Sequence, residues 1–482
     1  MKWIPHAKLG RDHEVASRLR ATVRRSRLRL PRFLHRRGWL HRRHLLMFVL
    51  AAVIVGLIAA LFAIGIRWAT ATFDRMATAR PWLPFLVCPT GLAVIAFLTR
   101  TVFPGAQGSG IPQAMAGLRM SNPYQVDRLL SWRIAIGKLI LVLAGFLSGA
   151  SIGKEGPIVQ IGCSVMNNIG RIGMPRTAEL QRLLIAAGGA AGIAGIFNAP
   201  LAGAIFAIEE MSHRYDAVTG RSVLASAMLS GLALFAVFGA SAYFGTSNAL
   251  LPFGPIWLII LPAGLVGGLA GGLFAQILVR PTRFLPGAVS RFAHHHPVMF
   301  AFCCGLAVAF FGWLSGGLVF DASYDQARAA VHGTVLLPMS FAPLKWAANL
   351  ASYLSGIPGG IFSPALAVGA GIGAVLQRLL MLLHLAPAMP VGAVAMIGMA
   401  AYFSGLVQSP ITAAAIVVEM TNDLNMTVAV GLAAGLGAVC SKLICPVPVY
   451  EALARQFFAA VAEREPAPAV RVHRRRRRHF FK

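Results

Sequence analysis

The stretch "SIGKEGPIVQIG", residues 151–162, decides how this chain is read. The residues before it, 134–152, are apolar enough to lie in a membrane. Lys154 and Glu155 then arrive between glycines, with Pro157 two residues on. A charged side chain at the centre of a bilayer costs about 3 kcal/mol even on lenient insertion scales, so an intramembrane carboxylate is a functional candidate by default. A Gly–Lys–Glu–Gly–Pro run is poor helix interior. Irregular backbone survives at membrane depth only where protein or a wet cavity covers it.

Composition points the same way. Of 482 residues, 57% are hydrophobic and 12% charged, about half the charged fraction of a typical soluble domain. Mean hydropathy is +0.69. The chain therefore reads as an all-α polytopic membrane protein, in the cell inner membrane. Net charge is +28, of which residues 1–44 carry +12 and residues 450–482 carry +6, including "HRRRRRH" at 473–479. The positive-inside rule places both tails in the cytoplasm, against anionic membrane lipid. An arginine run also suits nucleic acid, but no domain accompanies it and no nucleic-acid partner is expected. The basic N-terminal tail is too long for a signal-peptide n-region.

The cysteines, Cys88, Cys163, Cys303, Cys304, Cys440 and Cys445, lie in or beside apolar segments and have no metal-ligand spacing. "HHH" at 294–296 precedes Pro297 and reads as a basic helix end. No metal site is expected.

The first spanning helix is Leu45 to Ile66, between Arg43 and Arg67. Later apolar runs, near 82–99, 134–152, 183–208, 222–247, 250–279, 298–320, 343–383, 391–418 and 428–440, are broken by Gly and Pro. Some are too long for one span and too interrupted for one helix, which implies tilted, short and re-entrant helices.

An internal repeat runs through them. "NAPLAGAIFAIEEM" (198–211) resembles "QSPITAAAIVVEM" (408–420), and "GKEGPIVQIG" (153–162) echoes "GIFSPALAVG" (360–369). Pro200 and Pro410 each precede a glutamate, Glu209 or Glu419, nine residues on. Weak internal symmetry of this kind marks transporters built from inverted halves, whose sites lie where broken helices of the halves meet.

Four polar stretches interrupt the apolar sequence: "GSGIP" (108–112), "GKEGP" (153–157), "GGIFSP" (359–364) and "PVPVY" (446–450). In the first three, glycines precede a proline that suits the first turn of a helix. Each would start a helix at membrane depth, its free N–H groups and positive dipole end facing inward. Converging ends make an anion site without a full positive charge, weak enough to allow flux. "GKEGP" is not a Walker loop, because no Ser or Thr follows the lysine. "GGAAGIAG" (188–195) is better explained by tight helix packing through small residues.

These four motifs, in this order, resemble those of the CLC family of chloride channels and proton-coupled chloride antiporters, over about residues 45–460. The resemblance implies an inverted-repeat fold, a homodimer with one pathway per subunit, and chloride and protons as transported ions without a cofactor. It implies that Ser109 and Tyr450 give hydroxyls to a central anion, with Gly110, Gly156 and the backbone N–H groups of Ile361 and Phe362 around it. Glu155 would be the gating glutamate, imitating the anion when charged and swinging away when protonated. Glu210, which has Met420 as its repeat partner, would be the internal proton-transfer residue that distinguishes an exchanger from a channel. Serine in "GSGIP" implies chloride over nitrate; the tyrosine of "PVPVY" and the proline after "GKEG" speak against the fluoride branch.

The expected layout is a basic tail (1–44), a transmembrane domain (45–460, with halves near 45–245 and 250–460) and a second basic tail (461–482). The alternatives are a passive chloride channel and, more remotely, an intramembrane enzyme using Glu155 and Glu210 as an acid–base pair. No HExxH motif supports the enzyme reading.

Overall fold

The computed structural model describes residues 38–172, 174, 177–213, 216–239, 242–251, 254–382 and 390–462. The arginine run at 473–479 and most of the N-terminal tail lie outside these residues.

Most of the described chain is helix. The first half holds α1 (Gly38–Ala79), α2 (Pro84–Thr101), α3 (Ile111–Arg119), α4 (Pro123–Asp127), α5 (Trp132–Leu147), α6 (Glu155–Asn168), α7 (Ala178–Phe197), α8 (Pro200–Phe206) and α9 (Ala217–Phe238). A π-helical turn, Ala207–Ser212, follows α8. The second half holds α10 (Ile260–Val279), α11 (Pro281–Phe284), α12 (Gly287–His295), α13 (Pro297–Leu314), α14 (Tyr324–Val331), α15 (Phe341–Leu354), α16 (Phe362–Leu382), α17 (Val391–Val407), α18 (Pro410–Thr421), α19 (Thr427–Ser441) and α20 (Val449–Ala462). Among the described residues, 9 helices are long and apolar enough to cross a membrane.

The long apolar runs break where the sequence supplies a left-handed residue or a glycine. Residues 183–208 divide into α7 and α8 at Asn198, φ 54°, and residues 391–418 divide into α17 and α18 at Gln408, φ 63°. Residues 343–383 divide into α15 and α16 after Gly356, φ 78°. In the first two cases proline follows two residues later and starts the next helix. The first helix departs from its expected span: it continues past Arg67 to Ala79. Arg67 is exposed there. Its guanidinium lies over the Phe238 ring at 5.4 Å and borders a polar cavity, so the charge does not end the helix.

The two halves pack alike. In the first, α7 packs on α6, α8 and α9; in the second, α17 packs on α16, α18 and α19. Glycines let the backbones touch at matching places. A Cβ on Gly162 would lie 2.5 Å from the Gly188 carbonyl oxygen, and one on Gly369 would lie 2.6 Å from that of Gly398. The central helix of each half is thereby buried, with residues 184–197 and 392–407 enclosed by their neighbours. Such small-residue contacts drive helix association where lipid removes the hydrophobic incentive.

Buried charges are held by polar partners. Lys138 Nζ donates to Gln160 Oε1 at 2.6 Å, and Gln160 Nε2 donates to the Leu129 carbonyl at 2.9 Å. Lys345 Nζ donates to the Asp321 carbonyl at 2.7 Å and the Val319 carbonyl at 3.2 Å, pinning the loop before α14.

Candidate functional site

Three glycine motifs meet at the centre of the molecule and are tied by backbone. Gly108 N–H donates to the Ile357 carbonyl, and Gly359 N–H to the Gly108 carbonyl, each at 3.1 Å. Gly153 and Gly360 exchange hydrogen bonds in both directions at 2.7 Å. These short bridges join the halves and aim the N-termini of α3, α6 and α16 at one region. The first N–H groups of each helix have no acceptor within their own helix.

Glycine is required at two of these positions by space. Gly110 has φ 105°, a left-handed conformation, and a Cβ there would lie 2.8 Å from the Gly156 carbonyl oxygen. A Cβ on Gly156 would lie 2.0 Å from Ser109 Oγ. Ser109 is thus pressed against the start of α6. Tyr450, at the start of α20, is fully buried, and its hydroxyl lies beside Ser109. The approach falls short of a hydrogen bond: Ser109 Oγ and Tyr450 Oη are both buried and have no partner among the described residues. An unsatisfied buried hydroxyl costs about 1–3 kcal/mol. Two of them facing converging helix ends suit an anion that accepts from both. Ile361 and Phe362, at the start of α16, are buried in the same region.

Glu155 is fully buried and its carboxylate lies at the N-terminus of α16. It accepts the Ser363 N–H at 3.2 Å and a short hydrogen bond from the Ser363 hydroxyl. A carboxylate on backbone N–H at a helix start occupies the kind of position an inorganic anion takes. Lys154 points elsewhere: its ammonium lies 4.9 Å from the centre of the Tyr243 ring. Among the described residues Lys154 and Glu155 form no ion pair.

Glu210 lies on the π-helical turn and is 3% exposed. π-Turns inside helices recur at functional sites because they re-aim side chains. The Glu210 carboxylate accepts a short hydrogen bond from the Ser409 hydroxyl, just before α18. Its neighbour Glu209 serves a different end: it accepts from Thr412 N at 2.5 Å, Thr412 Oγ1 at 2.7 Å and Ile411 N at 3.2 Å. Tyr450 lies within electrostatic reach of both Glu155 and Glu210.

Two cavities flank this arrangement. One, of 570 Å³, is lined by Arg67, Asp74, Lys154, Phe197, Tyr243, Asp321, Tyr324, Asp325 and Arg328 among others. The other, of 310 Å³, is lined by Arg119, Glu179, Arg182, Met211, Ser212 and His213 among others. They lie at opposite ends of α7, whose Glu179 and Arg182 border the smaller and whose Ile196 and Phe197 border the larger. The residue before Glu155 lines one cavity and the two after Glu210 line the other. Arg119 also pairs with Glu451 of α20, so the C-terminal helix joins on the side of the smaller cavity.

The structure therefore gathers Ser109, Gly110, Gly156, Ile361, Phe362, Tyr450 and Glu155 around one centre, with Glu210 set apart toward the other cavity. Sequence reading missed Ser363 and Ser409, the serines that hold the two glutamates. Each lies inside a stretch already quoted, Ser363 in "GGIFSP" and Ser409 in "QSPITAAAIVVEM", at the N-terminus of a helix.

Residues 91–442 match the family model described as voltage gated chloride channel. The H(+)/Cl(-) exchange transporter ClcA of Vibrio vulnificus (strain YJ016) is 30% identical over 432 residues, which cover 85% of this chain and 88% of that one. The protein of the same name from Salmonella paratyphi B is 27% identical over 461 residues, covering 88% and 92%. Among solved structures, a slow cyanobacterial Cl-/H+ antiporter is 26% identical with a TM-score of 0.72, over 86% of this chain and 98% of that one. A CLC-type fluoride/proton antiporter at 21% identity and a TM-score of 0.68 shares the fold, over 86% and 99%.

Proposed function

The chain belongs to the CLC family, the voltage gated chloride channel family, and from that premise we propose that it exchanges chloride for protons across the inner membrane. It is a transporter rather than an enzyme, and chloride and protons are its cargo. The observation that carries the reading is the place of the Glu155 carboxylate, seated on the N-terminus of α16 where an anion fits.

The steps follow from charge. Ionised, Glu155 holds the α16 helix end against chloride. Protonated, it loses most of its attraction to the N–H dipoles and leaves, so chloride takes its place. Ser109 and Tyr450 offer hydroxyls to an anion at the centre, beside N–H groups of Ile361 and Phe362, while Gly110 and Gly156 let the loops approach it. Glu210 carries protons between the smaller cavity and Glu155, away from the anion. Glu209, committed to a helix end, leaves Glu210 free for this role.

The transport unit spans 45–460, with inverted halves near 45–245 and 250–460. The basic tails, 1–44 and 461–482, are cytoplasmic, and the smaller cavity opens to the same face. α1 supports this: its later residues, Arg67 and Asp74, border the larger cavity, so its basic start lies at the other end. Two copies form the working unit, and the exposed apolar residues Leu201, Ile411 and Val428 provide surface for a second copy beside lipid.

The test is the reversal potential of the protein in liposomes under a chloride gradient, with and without a proton gradient. An exchanger reverses away from the chloride equilibrium potential, displaced by the proton gradient. Reversal at the chloride value under every proton gradient makes the protein a passive channel.

A further inference from the structure

Glu155 does not border the larger cavity, although Lys154 beside it does. The side chains between are aromatic. Phe197 and Tyr243 line the cavity, with ring centres 5.0 Å apart and edge to face. Tyr243 is further boxed by Tyr324 at 4.8 Å and Phe244 at 5.0 Å. The Tyr324 hydroxyl donates to the Tyr243 carbonyl, and Phe244 N–H donates to the Met420 carbonyl at 2.9 Å, so the backbone is held as well as the ring.

Behind this wall lies the anion region, with the Phe362 ring 5.4 Å from that of Phe197, and the Tyr243 hydroxyl is within electrostatic reach of the Glu155 carboxylate. It is buried and has no hydrogen-bond partner among the described residues. A buried phenol with nothing to bond is costly, and such a group in a native fold calls for an explanation. The carboxyl next to it supplies one: a side chain with two positions leaves a partner unmatched in either.

We propose that Tyr243 is the positioning residue for the passage of Glu155 between the α16 helix end and the larger cavity. The proposal rests on the gating reading of Glu155 given above. The phenol ring closes the cavity off from the anion site while Glu155 sits on Ser363. The Tyr243 hydroxyl is the first polar group a departing carboxyl meets, and it hydrogen-bonds the neutral acid on its way. Lys154, over the face of the same ring, holds the phenol at the cavity wall by a cation–π contact. No covalent step is involved.

The experiment compares wild type, Tyr243→Phe and Tyr243→Leu in liposomes, reading chloride turnover and the number of chlorides moved per proton. Tyr243→Phe keeps the ring and removes one atom. It should slow exchange by about tenfold, the loss of one hydrogen bond along the path, with the chloride-to-proton ratio unchanged. Tyr243→Leu removes the ring as well and should lose part of the coupling, moving more chloride per proton. A reduced rate with intact coupling in the first variant is not what loosened packing produces, and chloride affinity by calorimetry confirms an intact site. Wild-type turnover in Tyr243→Phe overturns the role of the hydroxyl, and unchanged coupling in Tyr243→Leu overturns that of the ring. Should wild type itself move no protons, it is the exchanger reading that fails.

Discussion

Glu209 and Glu419 cap each other's helices. Glu209, beyond the end of α8, accepts the first N–H groups of α18; Glu419, near the end of α18, accepts Leu201 N at 3.1 Å and Ala202 N at 2.6 Å at the start of α8. The two contacts are copies related by the internal repeat. Each meets the orphan donors of a short helix with a charge that its dipole favours.

Removal of either cap should therefore act on stability. Glu209→Ala is expected to destabilise by about 1–2 kcal/mol, the usual size of a lost cap, and Glu419→Ala by a similar amount. Thermal unfolding in detergent measures both. Proton coupling of the surviving folded protein should match wild type; loss of coupling in Glu209→Ala would place Glu209 on the proton path.

Glu155→Gln has the shape of the protonated acid and cannot titrate. It should pass chloride and move no protons. Uphill proton movement driven by a chloride gradient in this variant would remove Glu155 from the gate.

Glu210→Gln keeps the size of the side chain and its hydrogen bond from Ser409. It should abolish proton transport while chloride flux continues and loses much of its dependence on internal pH. Continued coupled proton transport in the purified variant refutes the assignment.

Tyr450→Ala should weaken chloride binding, read by calorimetry, because it deletes one of the two hydroxyls proposed to face the anion. Ser109→Pro should shift preference toward nitrate, read as altered chloride and nitrate coupling ratios. Unchanged values in folded protein count against these roles.

Glu451 sets a pH dependence of stability outside the membrane spans. Burial raises its carboxyl, but the guanidiniums of Arg119 and Arg455 outweigh that and hold it below the ordinary value of 4.5. A depressed carboxylate contributes stability above its unfolded pKa, and that contribution disappears as pH falls through the folded one. The difference in melting temperature between wild type and Glu451→Gln should be present at about pH 6 and shrink below about pH 4. An equal difference at both would mean that the ion pair does not hold α20.

The sequence made some of this legible. Pro200 and Pro410, each nine residues before a glutamate, exposed the repeat because proline and glycine positions survive where apolar residues interchange. Glu155 stood out because a carboxylate is costly in apolar sequence, whereas Ser109 and Tyr450 were legible only through the resemblance of their motifs to those of the CLC family. Ser363, Ser409 and Tyr243 did not stand out. A serine in a helix is cheap and common, and its importance lies in a contact 208 or 199 residues away along the chain. The end of α1 was misplaced for a similar reason, since nothing local tells that Arg67 borders a cavity.

The paired Gly153–Gly360 bridge has a consequence for biosynthesis. Glu155 precedes Ser363 by 208 residues. At about 5–20 residues per second, the serine emerges from the ribosome about 10–40 s after the glutamate. Through that interval the carboxyl has entered the membrane without its acceptor helix, so it must wait as the neutral acid or beside water. An anion site built as proposed here would draw on both ends of the chain and come into being late in translation. A chain stopped before α16 would retain every residue of the first two motifs and still lack the helix end on which Glu155 sits.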